Sequence, residues 1–200
     1  LREIYSSLGL EGVLNLFQQV NNIYIAARHI PALSLNEDEV IDLFALLINS
    51  DKNIDDACRL LINDGVERFG IKWLNKINVY FEQVGIAPDR AGKILASLRD
   101  SPMVWDSIEE FGYEINKSYW LQKQPFAMKG EVSDLLLIID KYISWGRGFS
   151  AIISASQRLS DMPSVTLLAL LDIVVKEIIN NKEIQFDSMV SFYIKKVFDE

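Results

Sequence analysis

Residues 61–70 read LINDGVERFG and residues 103–112 read MVWDSIEEFG, so a ten-residue pattern returns after 42 positions. The Asp, Glu, Phe and Gly are identical in the two copies, and most aliphatic positions keep their apolar character. A period of about 40–47 residues is typical of stacked helical repeats, in which one unit does not bury its apolar face alone. The pattern therefore predicts an α-helical architecture.

The repeated stretch also has a simpler interpretation. Gly70 and Gly112 follow a phenylalanine, and a glycine in the left-handed conformation commonly closes a helix. Each copy therefore predicts a helix C-terminus with its stop signal. Because four identities in ten also arise by chance, an irregular helical domain with two similar helix ends stays open beside a true structural repeat.

The rest of the chain shows the same helical period, and no alternating run is bounded by hairpin turn residues. We therefore predict an all-α fold, either antiparallel helix pairs stacked as a short α-solenoid or an irregular multi-helix domain. The predicted helices span residues 2–8, 10–21, 23–30, 36–49, 54–69, 72–84, 88–99, 102–111, 113–122, 132–145, 149–159, 164–180 and 186–198.

Several helix ends carry recognisable signals. Ser34 followed by Glu37 predicts a capping box, and Ser101 followed by Pro102 predicts an N-cap and the first helical position. The helix over 164–180 is apolar on nearly all sides, so we expect neighbours to cover it on several faces. The helix behind the predicted capping box carries one apolar stripe, formed by Val40, Phe44, Leu47 and Ile48.

The domain organisation follows from the breaks between these helices. Residues 123–131, with Pro125 and Gly130, are the best candidate for a linker. We therefore expect a single all-α region over residues 1–200, with a possible subdivision near 123–131. The chain starts in amphipathic sequence, without an initiator Met or a signal peptide, which predicts a fragment of a longer protein.

Composition limits the kinds of partner. Each half of the chain has 10 Lys+Arg and 14 Asp+Glu, which gives −4 for each half and −8 in total. Nucleic-acid binding needs a clustered positive footprint, so we expect no nucleic-acid partner. The apolar uncharged stretch 162–171 is about half as long as the roughly 20 residues that cross a bilayer, and the longer uncharged stretch 12–27 is interrupted by Asn and Gln, so we expect no membrane insertion either.

The cysteine and histidine counts limit metal chemistry. Cys58 is the only cysteine, which excludes an intrachain disulfide and a cysteine-based zinc site and favours a reducing, cytoplasmic location. It lies on an apolar helix and is predicted to be a core residue. His29 is the only histidine, so a two-histidine metal site is excluded. His29 is predicted to cap backbone carbonyls at a helix end.

Two acidic segments are candidate sites. Asp51 opens a run with calcium-loop spacing, but Asp56 stands where that loop needs glycine and Ile62 where it needs glutamate. We predict instead a polar turn in which an Asp or Asn caps the helix that carries Cys58. A second acidic cluster, predicted to be a solvated helix face, consists of Glu109, Glu110 and Glu114. We thus predict no catalytic, cofactor-binding or metal-binding residues, no cofactor and no enzymatic activity.

Residues 145–149 read WGRGF, which at first suggests a phosphate-binding loop. The segment lacks a third glycine, a following Lys-Ser/Thr pair and a preceding strand, so a tight interhelical turn is the better interpretation. The functional alternative is that Arg147 faces an aromatic cluster and grips a carboxylate or acidic peptide by cation–π and charge-assisted contacts. This candidate patch consists of Lys117, Tyr119, Trp120, Trp145 and Arg147.

The segments IEEFGYEINKSYW at 108–120 and IDKYISWGRGFSAII at 139–153 resemble part of the helical-repeat regions of very large bacterial proteins. Those regions are solenoids of the HEAT or TPR kind, and some belong to STAND-type antiphage or signalling systems. The departure from the pattern is Gly148. The residues that fit the pattern are Gly112, Glu114, Tyr119, Trp120, Gly146, Arg147 and Ala151.

This resemblance covers less than a quarter of the chain and concerns structural positions. It implies an α-solenoid used for recognition or as a scaffold, with any effector module outside these 200 residues.

Together these observations predict a non-catalytic helical-repeat scaffold or recognition module that binds protein or peptide, or docks against other domains of a larger protein. One alternative is a helical domain with a small-ligand pocket near Trp120, Trp145 and Arg147. Another is a subunit whose exposed apolar face is completed by a second copy. The sequence does not predict the oligomeric state.

Overall fold

A computed structural model describes residues 1–50, 54–126 and 131–180, together with Phe192 and Lys195. Within these residues the chain is all-α, as predicted, and contains no strand. Short 3₁₀ helices occupy Ile30–Leu33 and Leu159–Asp161. The α-helices are α1 (Arg2–Gln19), α2 (Ile23–Ala27), α3 (Glu37–Ile48), α4 (Asp55–Phe69), α5 (Trp73–Val84), α6 (Pro88–Leu95), α7 (Pro102–Glu109), α8 (Tyr113–Gln122), α9 (Val132–Ser144), α10 (Gly148–Ala155) and α11 (Ser164–Asn180).

The predicted helices over residues 2–180 all have a counterpart, and their ends differ by a few residues. The break predicted between residues 8 and 10 is a kink inside α1 at Gly9 (φ 63°, ψ −157°). This backbone region is accessible essentially to glycine alone, so the residue type sets the kink. The predicted helix over 186–198 lies outside the described residues except for Phe192 and Lys195, which are helical.

The cap of α3 lies two residues further along than predicted. Asn36 accepts a hydrogen bond from the Glu39 N–H (3.0 Å), and the Glu39 carboxylate accepts one from the Asn36 N–H (2.8 Å). The predicted box of Ser34 and Glu37 is therefore wrong. The physical reason is that Ser34 is left-handed (φ 54°) where an N-cap residue must be extended. The predicted stripe is confirmed, since Val40, Phe44, Leu47 and Ile48 are all buried.

Two other helix starts were also predicted. Ser101 accepts a hydrogen bond from the Val104 N–H (3.3 Å) with Pro102 at the first helical position, which confirms that cap. For the helix that carries Cys58, the candidate capping residues Asp51 and Asn53 lie outside the described residues, so that cap stays a prediction. The residue before α4 is Ile54, which makes no side-chain capping bond.

Both copies of the ten-residue pattern end a helix, as predicted. Gly70 (φ 82°) follows α4, and Gly112 (φ 79°) lies just beyond α7. The ψ of Gly70 is 173°, so only its positive φ matches the predicted left-handed conformation. The shared Asp has different surroundings in the two copies: Asp64 is 9 % exposed and Asp106 is exposed. The common feature is thus the helix end, and stacking of a repeated unit stays a prediction.

The chain divides into two compact units, Leu1–Tyr119 and Trp120–Glu200. In the first unit, α4 packs against α2, α3, α5 and α6, and α1 packs against α3 and α2. The largest buried side chains of this unit are aromatic: Trp73, Trp105, Tyr119, Phe17, Phe44 and Phe81. The boundary falls inside α8, close to the predicted subdivision near 123–131.

In the second unit, α9, α10 and α11 pack against one another, and Trp120 and Tyr142 are its largest fully buried side chains. The expectation that neighbours cover α11 on several faces is wrong. Its buried residues are Leu170 and Val174, whereas Leu168 is 67 % exposed. No described helix is both long and apolar enough to cross a bilayer.

Candidate functional site

The WGRGF segment is the tight interhelical turn that its sequence predicts. The Arg147 N–H donates to the Tyr142 carbonyl (2.8 Å), and the Gly146 N–H donates to the Ile143 carbonyl (2.9 Å). These two bonds form a Schellman motif at the end of α9, which requires a positive φ at the residue after the C-cap. Gly146 supplies that conformation (φ 71°).

The Arg147 side chain forms hydrogen bonds with backbone carbonyls at the C-terminal end of α8. Its Nη1 donates to the Trp120 carbonyl and to the Lys123 carbonyl (2.7 Å), and its guanidinium carbon lies 5.2 Å from the centroid of the Tyr142 ring. Carbonyls in the last turn of a helix have no intrahelical donor, so an outside donor satisfies them. Burial lowers the pKa of Arg147, but a guanidinium stays charged at neutral pH. The guanidinium of Arg147 thus binds backbone carbonyls of the same chain.

A carboxylate of the same chain occupies the N-terminus of α10. The Phe149 N–H donates to Oε2 of Glu177 on α11 (2.9 Å). A Cβ on Gly148 would lie 2.7–2.8 Å from atoms of Ile173 and Val174, so the glycine allows α10 and α11 to approach closely. The helix N-terminus that a phosphate would need therefore already holds a carboxylate.

The predicted patch residues occupy different environments. Tyr119 and Trp120 are fully buried, Trp145 and Arg147 are partly buried, and Lys117 is exposed. Lys117 and Tyr119 belong to the first unit, whereas the other three belong to the second.

Within the second unit, the structure brings Trp120 and Arg147 together through the Trp120 carbonyl. The ring of Trp120 meets the Tyr142 ring edge to face (centroids 5.5 Å apart, 85° between planes). A surface ligand would therefore not meet the Tyr119 and Trp120 rings, and binding through the patch stays a prediction.

Glu177 was not predicted from the sequence. The burial of its carboxyl leads to a testable prediction about how the stability of the protein depends on pH. Burial raises the pKa of the Glu177 carboxyl above 4.5, and the hydrogen bond from Phe149 opposes this shift only in part. Between pH 4.5 and the higher folded-state pKa, the folded protein keeps a proton that the unfolded chain has lost. The contribution of Glu177 to the free energy of unfolding therefore falls as pH rises through this interval.

We expect Glu177→Gln to remove this pH dependence while keeping a side-chain oxygen for the Phe149 N–H. Urea unfolding of the parent and of Glu177→Gln at a series of pH values from pH 4 upward measures this pH dependence. The variant should gain stability relative to the parent as pH increases. A stability difference that stays constant with pH would show that folding does not shift the pKa of the Glu177 carboxyl, and a change in the opposite direction would show that folding lowers this pKa; either result would contradict the prediction.

The other reactive side chains have structural or solvated environments. Cys58 is fully buried, which raises the pKa of its thiol to about 12 and confirms it as a core residue. His29 is exposed and makes no side-chain capping bond, so the predicted capping role is wrong. The second acidic cluster is exposed, as predicted, at all three of its residues, Glu109, Glu110 and Glu114. Within the described ranges, no three His, Cys, Asp or Glu side chains lie close enough together to hold a metal ion.

An open groove of about 860 Å³ lies between α1 and α3 in the first unit. The kink of α1 forms part of the wall of this groove, because Gly9 and its neighbours line it. Two exposed carboxylates, Glu11 and Asp42, also line it, and the described residues of its wall include no Lys, Arg or His. Its apolar lining comes from Leu8, Leu10, Leu14, Ala45 and Leu46.

The sequence contained a signal for this groove. Leu10, Val13, Leu14 and Phe17 are spaced three or four positions apart and form one apolar stripe on α1. Val13 and Phe17 are fully buried, whereas Leu10 and Leu14, at one edge of the stripe, are only partly buried. An apolar stripe that the protein covers only in part is consistent with a surface for another segment.

Comparison of the chain with protein-family models, with curated proteins and with solved structures found no match. A proposal for its function therefore rests on the chemistry of its own residues.

Proposed function

We propose that the chain is a non-catalytic helical recognition module that binds a protein or peptide segment in the groove between α1 and α3. The observation that carries this proposal is the combination in one concave surface of leucine side chains with the exposed carboxylates of Glu11 and Asp42. The role agrees with the one that the resemblance to helical-repeat regions implies.

The chemistry of the groove defines the kind of partner. Leucines at the α1–α3 interface suit the apolar face of an amphipathic helix, which is a common mode of helix-in-groove recognition. The two carboxylates and the −8 charge of the chain favour Lys or Arg on the partner, because complementary charge raises association rates and selects partners. The same acidic lining disfavours phosphate backbones.

The geometry does not favour the alternative of a small-ligand pocket near Trp120, Trp145 and Arg147. The indole of Trp120 is fully buried, and the guanidinium of Arg147 donates to backbone carbonyls.

The experiment uses a fluorescent model peptide with leucines at helical spacing and lysines on its other face. We expect binding by fluorescence anisotropy. A peptide with glutamates in place of lysines should bind at least about tenfold more weakly, a change of about 1.4 kcal/mol.

Variants of the protein locate the binding. Leu8 is 66 % exposed, so Leu8→Glu should leave the fold intact and weaken binding of the lysine peptide, as should Asp42→Lys. Val79→Glu is the matched control, because Val79 is 52 % exposed on α5 and does not line the groove. Equal binding of both peptides, or unchanged binding by both groove variants, would contradict the proposal.

A further inference from the structure

Helix α11 presents an apolar seam to solvent. Its exposed residues at 165, 168, 172, 175 and 179 are separated by three, four, three and four positions. Four of them are large and apolar: Val165 (73 % exposed), Leu168 (67 %), Val175 (52 %) and Ile179 (67 %). At 1.5 Å per residue the seam is about 21 Å long.

This spacing is the pattern of a helix that packs against a second helix. Apolar residues that alternate at three and four positions form the a and d sites of a coiled-coil seam. The buried residues Leu170 and Val174 lie on the other side of α11, where the helix packs on its own unit. Helix α11 thus has one apolar face inside its unit and a second face with the geometry of a helix-pairing surface.

The charges of the seam indicate what covers it. Asp172 occupies its middle, and the Lys176 ammonium lies 2.6 Å from the Asp172 carboxylate. The seam and the adjoining Lys176 therefore carry one acid and one base and are neutral together, so this face offers no net attraction to a strongly acidic or basic partner. A surface with equal and opposite charges is complementary to a second copy of itself when the two are related by a twofold axis.

We propose that α11 is a dimerisation helix, which pairs in antiparallel orientation with α11 of a second copy of this chain. In the register that alternates a and d sites, Leu168 lies beside Ile179 of the second copy, and Asp172 lies beside Val175 of the second copy, within reach of its Lys176. A parallel pair would instead place the two Asp172 carboxylates opposite each other, which is unfavourable. The dimer is independent of peptide binding in the α1–α3 groove.

Sedimentation equilibrium of residues 1–200 tests the association. The apparent mass should rise with concentration from 22.8 kDa towards twice that value. Leu168→Glu and Ile179→Glu should each weaken association at least about tenfold, since each buries a charge against an apolar side chain in the dimer. Leu121→Glu is the matched control, because Leu121 is 50 % exposed on α8, and this variant should associate like the parent.

Charge exchange tests the orientation. Asp172→Lys alone and Lys176→Asp alone should each weaken the homodimer, because residues 172 and 176 then carry like charges across the axis. An equimolar mixture of the two variants should associate again, because every cross-axis pair in the heterodimer joins an acid to a base. Leu168→Cys mixed with Ile179→Cys should form an intermolecular disulfide faster than either variant alone, and Cys58 does not interfere because it is buried.

A parent protein that stays monomeric throughout the concentration range would overturn the proposal. So would undiminished association of Leu168→Glu and Ile179→Glu, or a preferred disulfide within Leu168→Cys alone. A monomer in which the Leu168→Cys thiol resists maleimide labelling would also overturn it and would assign the face to another segment of the same chain.

Discussion

Replacing Trp120 with alanine is expected to destabilise the second unit by about 3–5 kcal/mol, the usual cost of removing a buried indole. Trp120 is fully buried and packs edge to face on Tyr142, so the variant loses apolar burial and an aromatic contact and leaves a cavity. Urea unfolding followed by circular dichroism measures the change. The matched control is Trp145→Ala, which should cost less because Trp145 is only partly buried.

The result separates a structural tryptophan from a binding tryptophan. If Trp120→Ala keeps the stability of the parent but loses affinity for an acidic peptide, then the indole is accessible in solution and the patch interpretation is correct. If stability falls as expected, then loss of binding by this variant says nothing about a contact with a ligand.

Replacing Arg147 with alanine is expected to destabilise the same unit by about 2–4 kcal/mol. The variant leaves the Trp120 and Lys123 carbonyls without the charged donor that they have in the parent, and it removes the guanidinium from the Tyr142 ring. Arg147 is only partly buried, so water compensates for part of the loss and the value lies below that of a fully buried ion.

Arg147→Lys is the informative companion variant. Lysine keeps the positive charge and a nitrogen donor, but it lacks the planar guanidinium that contacts the Tyr142 ring while Nη1 donates to both carbonyls. We expect Arg147→Lys to recover only part of the lost stability in urea unfolding. Full recovery would mean that charge alone matters at this position. Unchanged stability of Arg147→Ala would mean that the guanidinium does not hold the end of α8.

Local signals predicted the fold well because they act within a few residues. Gly9 broke the first helix, Ser101 capped α7, and Gly146 closed α9, each through its own backbone or its near neighbours. The shifted cap of α3 shows where such signals become ambiguous. Two residues, Ser34 and Asn36, both have a glutamate three positions later, and only the backbone conformation of Ser34 decides between them.

The candidate sites were harder to predict because burial depends on contacts between distant residues. The sequence placed Arg147 near aromatic residues but gave no sign that its donors reach carbonyls 24 and 27 positions earlier. Likewise, the apolar periodicity of α11 showed its apolar faces but not which of them the second unit covers. Glu177 was the one acid in a mainly apolar turn, yet nothing local linked it to the start of α10.

The central claim is that recognition occurs in the α1–α3 groove and not at the patch that contains Lys117. The most direct measurement is photo-crosslinking of the lysine-rich amphipathic peptide, with a benzophenone on its leucine face, followed by mass spectrometry of the labelled fragments. We predict crosslinks in α1 and α3, with Leu8 and Leu46 among the labelled residues. Crosslinks that concentrate in α8 or in residues 145–149 would contradict this claim.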